Sequence, residues 1–150
     1  MLQPGSRAPE FTLPDQDEKE VSLSGLLGRG SLILYFYPAD FTPGCTREAC
    51  SFRDLYADFD RAALTIAGVS PQAPKSHRRF REKHALPFRL LSDCDKAVAR
   101  MYEVVIPFGL GIRRATFLID SRRIIRDAVL ADFRIARHEA FARAALVTRR

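Results

Sequence analysis

Apolar and polar positions change their spacing several times along the chain, and each change marks an element. The segment FTLPDQDEKEVSLSGLLG alternates short β-prone pieces around the turn-rich PDQDEKE, which predicts an N-terminal hairpin followed by a short helical turn. From Ser31 to Tyr37 the run SLILYFY is unbroken and rich in β-formers, as expected for a central strand covered on both faces, and Pro38 ends it. Phe52, Leu55, Tyr56 and Phe59 then recur at spacings of three and four, which predicts a helix from Pro43 to about Ala62. A strand at LTIAGVS, a helix opened by Pro74, a strand at FRLLS and a short helix from about Asp95 to Tyr102 follow. ATFLID and RIIRDAVL, joined by polar SRR, read as an antiparallel pair, and ARHEAFARAALVT closes the chain as an amphipathic helix. The sum is an α/β fold, a mixed sheet with helices on both faces, and no repeat or linker divides residues 1–150 into more than a single domain.

Composition narrows the class without changing that picture. With 150 residues, 47% hydrophobic and 28% charged, the chain can bury a core without disulfide or metal support. No apolar run approaches the roughly 18 residues of a membrane span, and MLQPGSRAPEF lacks the apolar core of a secretory signal. A cytoplasmic location is therefore expected, with no membrane association. Three cysteines, an odd number, do not form the paired framework of a small secreted domain. The net charge of +6 is scattered, and its densest stretch, KSHRRFREKH, is expected to be a solvated helix face rather than a nucleic-acid groove.

The chemistry concentrates in FTPGCTREAC, residues 41–50. Thr42 suits an N-cap and Pro43 the first helical position, which places Cys45 third in the helix. Unpaired backbone N–H groups and the positive end of the helix dipole lie there, and both favour a thiolate. Gly44, poor in helix propensity, is expected to leave the surface beside the sulfur bare for a small substrate. Cys45 is thus a candidate nucleophile. Cys50 lies five residues on, a rise of about 7.5 Å and a rotation of about 140°, so the two Cα atoms stand roughly 8 to 9 Å apart on an ideal helix. A disulfide needs less than about 7 Å, so any bond between the two requires the first turns to unwind.

YFYPADFTPGCTREACSFRD resembles the active-site segment of the peroxiredoxins, in particular the bacterioferritin-comigratory-protein or PrxQ-like branch, whose P-x-x-x-T-x-x-C pattern is filled by Pro38, Thr42 and Cys45. The resemblance extends through PGSRAPEFTLPDQDEKEVSLSGLLGR, VSPQAPKSHRRFREKHALPFRLLSD and RRATFLID, nearly the whole chain. It implies a thioredoxin-like fold and a thiol peroxidase acting on hydrogen peroxide and organic hydroperoxides. By the same resemblance Cys45 is peroxidatic, Cys50 resolves its sulfenic acid as a Cys45–Cys50 disulfide, and thioredoxin or a similar dithiol protein restores both thiols. The family's arginine, two residues before the Ser/Thr that precedes Phe, selects Arg114. Strand alternation puts Arg114, Thr116 and Leu118 on one face and Arg113 on the other, where it is expected to be a solvated strand end. Glu48, one turn beyond Cys45, is a possible support for the arginine. Monomers and dimers both occur in this branch, so a monomer or weak homodimer is expected.

Other candidates carry less. Tyr37 suits plain core as well as a place over the pocket. Cys94 is expected to be a bystander thiol, since branch members that resolve elsewhere place the cysteine around HRRFREKH, where this chain has none. His77, His84 and His138 lack ligand spacing and are expected at the surface; no metal and no cofactor is implied. IDSRRIIR departs from the glycine-containing turn usual in the family. Two alternative functions remain on the residues alone: a peroxide sensor that relays oxidation to a client protein, and, from charge only, a nucleic-acid binder.

Overall fold

The N-terminal alternation folds as predicted. In the structure, a computed structural model that describes residues 1–148 with Thr148 in its backbone alone, β1 (Thr12–Pro14) and β2 (Glu20–Ser22) pair antiparallel. Arg149 and Arg150, the end of the expected domain, lie outside the described residues. Asp15 closes the turn: its Oδ1 accepts from the amides of Asp17 and Lys19 at 2.8 and 3.0 Å. A single turn, α1 (Leu23–Leu26), follows, and the Ser22 hydroxyl accepts from the Gly25 amide, a cap worth about 1 kcal/mol.

The unbroken apolar run becomes β3 (Leu32–Phe36), buried at every position. After α2 (Pro43–Asp54) and α3 (Tyr56–Arg61) the chain returns as β4 (Thr65–Ser70), parallel to β3. Next come α4 (Pro74–His84), β5 (Arg89–Ser92), parallel to β4, and α5 (Ala97–Met101). β6 (Ala115–Ile119) adds antiparallel to the other edge of β3, β7 (Ile125–Leu130) pairs with it, and α6 (Ile135–Thr148) ends the described chain. The sheet order is β5-β4-β3-β6-β7.

Alternation along β3 divides the core into two layers. Leu32, Leu34 and Phe36 pack with Val21, Leu26 and Ala99 from the hairpin, α1 and α5. Ile33 and Tyr35 face the other way, toward Phe52, Phe59, Phe80 and Ala142 of α2, α3, α4 and α6. Tyr35 is opposite Gly68 in the β3–β4 register, and a Cβ on Gly68 would come within 2.8 Å of the tyrosine ring. Only glycine lets that ring lie flat over β4.

Three local expectations change. The predicted helix from Pro43 to Ala62 breaks at Leu55, whose amide bonds back to the Phe52 carbonyl three residues earlier and ends the α-helical ladder. The bend keeps Phe52, Leu55 and Phe59 all in the core. The helix predicted from Asp95 starts at Ala97, because Lys96 is left-handed (φ 61°) and the Asp93 carboxylate accepts from the Val98 and Ala99 amides. In the SRR turn Arg123 takes a left-handed conformation (φ 67°) of the kind glycine favours. Two bonds from its guanidinium to the Ala8 carbonyl, and its own carbonyl accepting from the Ala8 amide at 2.7 Å, tie that turn to the N-terminal segment.

Candidate active site

Cys45 sits third in α2, as the Thr42–Pro43 pair predicts, and is 1% exposed. Its sulfur meets a single forked cation. Arg114 Nη2 donates to Cys45 Sγ at 3.3 Å, while Nη1 donates to Glu48 Oε1 at 2.7 Å. Cys45 and Glu48 lie three residues apart on one face of α2, which lets one planar guanidinium span both. Arg114 is held from behind as well: its amide donates to Asp132 Oδ1 and its Nε to the Asp132 carbonyl. Arg113 points the other way and pairs with Asp132 Oδ2 at 2.7 Å, still partly exposed. The strand alternation thus separates the two arginines, although Arg113 has an ion-pair partner rather than being merely solvated.

Two further residues depart from expectation. Thr42 occupies the N-cap position, but its hydroxyl turns back to donate to the Ala39 carbonyl at 3.0 Å and not toward the helix amides or the sulfur. Gly44 does leave a bare Cα, yet a Cβ there would meet Arg114 Nη2 at 3.2 Å and Ile135 Cδ1 at 3.6 Å. The space is taken up first by the guanidinium, and only the remainder opens outward. Pro38, Thr42, Gly44 and Arg114 line an open cleft of about 690 Å³ together with Ile106, Ile112, Phe133 and Ile135. That cleft is apolar except for the arginines, Asp132 and the threonine.

Cys50 is half-buried and opens elsewhere, onto a groove with Phe41, Pro43, Arg47, Lys83 and His84. With α2 unbroken from Pro43 to Asp54, both cysteines are free thiols on one intact helix. Cys94 is exposed, its Sγ 3.9 Å from the Gln72 carbonyl, and it does not line the cleft.

The histidines correct the sequence expectation. His84 is half-buried, but His77 and His138 are fully buried. His77 Nδ1 lies 2.7 Å from Asp40 Oδ2, and its Nε2 3.0 Å from the Leu91 carbonyl. Asp40 also accepts from the hydroxyls of Tyr37 (2.6 Å) and Ser76 (2.8 Å), so the segment leading into α2 is pinned to α4. Tyr37 is therefore core with its hydroxyl spent on Asp40, not a lid over the cleft. His138 stands behind Glu48, its Nδ1 3.5 Å from Glu48 Oε2. Burial pushes the Glu48 carboxyl up to about 7, opposed by the charge and hydrogen bond of Arg114. A signal for these buried histidines did exist: Ile135, His138, Ala142 and Ala145 fall at spacings of three and four, as do His77 and Phe80.

A thiol under a forked arginine, at the first turn of a helix beside a thioredoxin-like sheet, defines a thiol-based redox enzyme. The sequence profile of the AhpC/TSA family matches residues 4–128, and the chain belongs to that family. It is 43% identical over 145 residues to the peroxiredoxin bcp of Coxiella burnetii, covering 93% of this chain and 95% of that one. The chloroplastic peroxiredoxin Q of Oryza sativa is 42% identical over 135 residues, 89% of this chain and 62% of that longer protein. Among solved structures, peroxidoxin BcpB from Mycobacterium tuberculosis superposes with a TM-score of 0.93 at 35% identity, covering 100% and 99% of the two chains. The bacterioferritin comigratory protein of Xanthomonas campestris gives 0.84 at 33% identity, covering 98% and 96%. The peroxiredoxin family and its thioredoxin-like fold carry with them a thiol peroxidase, an oxidoreductase with a peroxide substrate and a dithiol reductant. Among the described residues no helix is long and apolar enough to cross a membrane.

Proposed function

We propose that the chain, as one domain, reduces hydrogen peroxide and organic hydroperoxides by a two-cysteine cycle, with Cys45 as the attacking sulfur and Cys50 as the resolving one. The observation that carries this reading is the guanidinium of Arg114, 3.3 Å from Cys45 Sγ and braced by Glu48. The thiolate of Cys45 attacks one oxygen of the hydroperoxide; the O–O bond breaks, the sulfur becomes a sulfenic acid, and the other oxygen leaves as water or alcohol after taking a proton. Negative charge moves from sulfur to the departing oxygen, and Arg114 stays positive throughout. Thr42, Gly44 and Pro38 form the wall along which a small peroxide reaches the sulfur, and the apolar remainder of the cleft accommodates an organic substituent.

The thiolate of Cys50 then attacks the sulfenic sulfur, an S–S bond forms and water leaves. Two electrons from thioredoxin or a similar dithiol protein reopen the disulfide. A reducing compartment such as the cytoplasm suits this cycle because it keeps dithiol proteins reduced, and a monomer or weak homodimer suffices because both working cysteines belong to one helix. The test is peroxide consumption with thioredoxin, thioredoxin reductase and NADPH. Turnover is expected in the wild type and not in Cys45→Ser; turnover that survives the substitution sinks the reading.

A further inference from the structure

Glu48 presents its two oxygens to different elements. Oε1 accepts from Arg114 on the side toward Cys45. Oε2 is buried and, among the described residues, takes no hydrogen bond. What it faces is Nδ1 of His138 on α6, 3.5 Å away. Both nitrogens of that ring are already engaged: Nε2 lies 2.9 Å from the Ala131 carbonyl and Nδ1 2.8 Å from the Thr116 hydroxyl. A carbonyl only accepts, so Nε2 carries a proton, and in the neutral ring Nδ1 is a lone pair filled by the Thr116 hydroxyl. Two acceptors, Nδ1 and Oε2, therefore confront each other in a dry interior. A single proton between them resolves the conflict: an Oε2–H donates to the Nδ1 lone pair once the Thr116 hydroxyl rotates away from it, without moving a heavy atom.

We propose that Glu48 and His138 form one buried proton site, and that His138 is a positioning residue which, through that proton, sets how much of the Arg114 charge is left for the Cys45 sulfur. With the proton present, Arg114 faces one anion, the Cys45 thiolate, and the cluster is neutral. With the proton gone, the Glu48 carboxylate competes for the guanidinium and the cluster carries a net negative charge, which opposes charge building on the departing oxygen.

The remaining groups facing the pair leave this balance intact. Tyr35 on β3 is fully buried, and burial holds its hydroxyl well above the usual phenol range, so it stays neutral. Asp132 is engaged by Arg113 and by the Arg114 backbone. Burial lowers His138 below the ordinary imidazole range, the bond to Ala131 opposes this, and the charges of Arg114 and Arg137 add to the lowering. The proton thus resides on the carboxyl and is released near neutral pH.

The inference rests on Cys45 as the reacting sulfur, so one arm of the test needs no peroxide. Nitrogen NMR of the His138 ring should show the Nε2–H tautomer and a shift near neutral pH that Glu48→Gln abolishes, since glutamine offers Arg114 an acceptor and Nδ1 a permanent donor. The second arm is the rate constant for hydrogen peroxide at about pH 8.5 divided by that at about pH 6. This ratio should rise on the order of threefold in Glu48→Gln, fixed in the protonated arrangement, and likewise in His138→Asn, fixed in the ionised one. Only His138→Asn should be slow at the lower pH. Ratios within each variant cancel any general loss of rate. Packing damage alone would lower the rates and leave the ratio as in wild type; that result, or a wild-type ring that shows no shift, overturns the proposal. A ring shift in a protein that fails to react with peroxide would uphold the proton site and overturn the role given to Cys45.

Discussion

A Cβ on residue 44 would stand 3.2 Å from Arg114 Nη2, so Gly44 is the residue that lets the guanidinium close on the Cys45 sulfur. Alanine there would favour the helix by up to about 1 kcal/mol, yet push the guanidinium a few tenths of an ångström off the sulfur. Gly44→Ala should therefore lose peroxidase rate on the order of tenfold while its thermal stability holds or rises. Stopped-flow peroxide kinetics beside a thermal melt check both halves. Full activity would mean that the cation tolerates displacement.

The two adjacent arginines should separate sharply. Arg114→Lys keeps a charge but cannot reach Sγ and Glu48 Oε1 at once, so a loss of roughly a hundredfold in rate is expected, against a few-fold for Arg113→Ala. Lysine is the better probe than alanine, since truncating Arg114 removes the charge that opposes the raised Glu48 carboxyl and so mixes a change in its protonation with the loss at the sulfur. Asp132 holds both arginines, and Asp132→Ala should fall between the two. Equal losses for Arg113 and Arg114 would defeat the assignment.

Glu48 should also be visible in stability. Its folded carboxyl titrates at about 7, above the 4.5 of an unfolded carboxyl. The folded state therefore holds the proton more tightly, and the associated stability is fully present below about pH 4.5 and is lost as pH rises to about 7. Relative to wild type, Glu48→Gln should grow more stable across that window by on the order of 1 to 3 kcal/mol, then level off. His138, lowered by burial, acts in the opposite sense on the acid side, and because Glu48→Gln also changes the partner of its ring, the difference reports the two residues as one site. Denaturant unfolding at a series of pH values gives the curve. A flat difference would place the carboxylate ionised throughout.

The sequence made the sheet legible because β3 is buried on both faces and its apolar run needs no partner to be recognised. Arg114 was legible for a different reason: alternation allows one of two arginines to face α2, and the family pattern says which. What escaped was determined by competing local acceptors and by contacts distant in sequence. The Thr42 hydroxyl had a competing acceptor in Ala39, and Gly44 makes room for a side chain seventy residues away. His138 and His77 sit on apolar helical stripes, but a histidine there discloses nothing until Glu48 or Asp40 is brought against it by the fold.

The spacing of Cys45 and Cys50 makes the last prediction. With α2 intact, Cys45 is buried under Arg114 while Cys50 opens onto the groove with Lys83 and His84, so no disulfide can form without unwinding the first turns. Phe41, immediately before the cap, is left-handed at φ 65°, a conformation that costs a phenylalanine about 1 kcal/mol and is relieved when the segment opens. Opposing this, the Thr46 amide to Thr42 carbonyl bond and the Arg114 contact hold the turn closed in the reduced protein. Oxidation converts the sulfur to a sulfenic acid and so removes the anion that faces Arg114. Peroxide treatment should give an intramolecular Cys45–Cys50 disulfide by mass mapping, with a small loss of helical circular dichroism that dithiol reverses. Cys50→Ser should keep the first peroxide reaction, lose both the helix change and thioredoxin-driven turnover, and over-oxidise faster at Cys45 for want of a neighbouring thiol. A mapped Cys45–Cys94 bond, or normal turnover in Cys50→Ser, would reduce Cys50 to an ordinary helix residue.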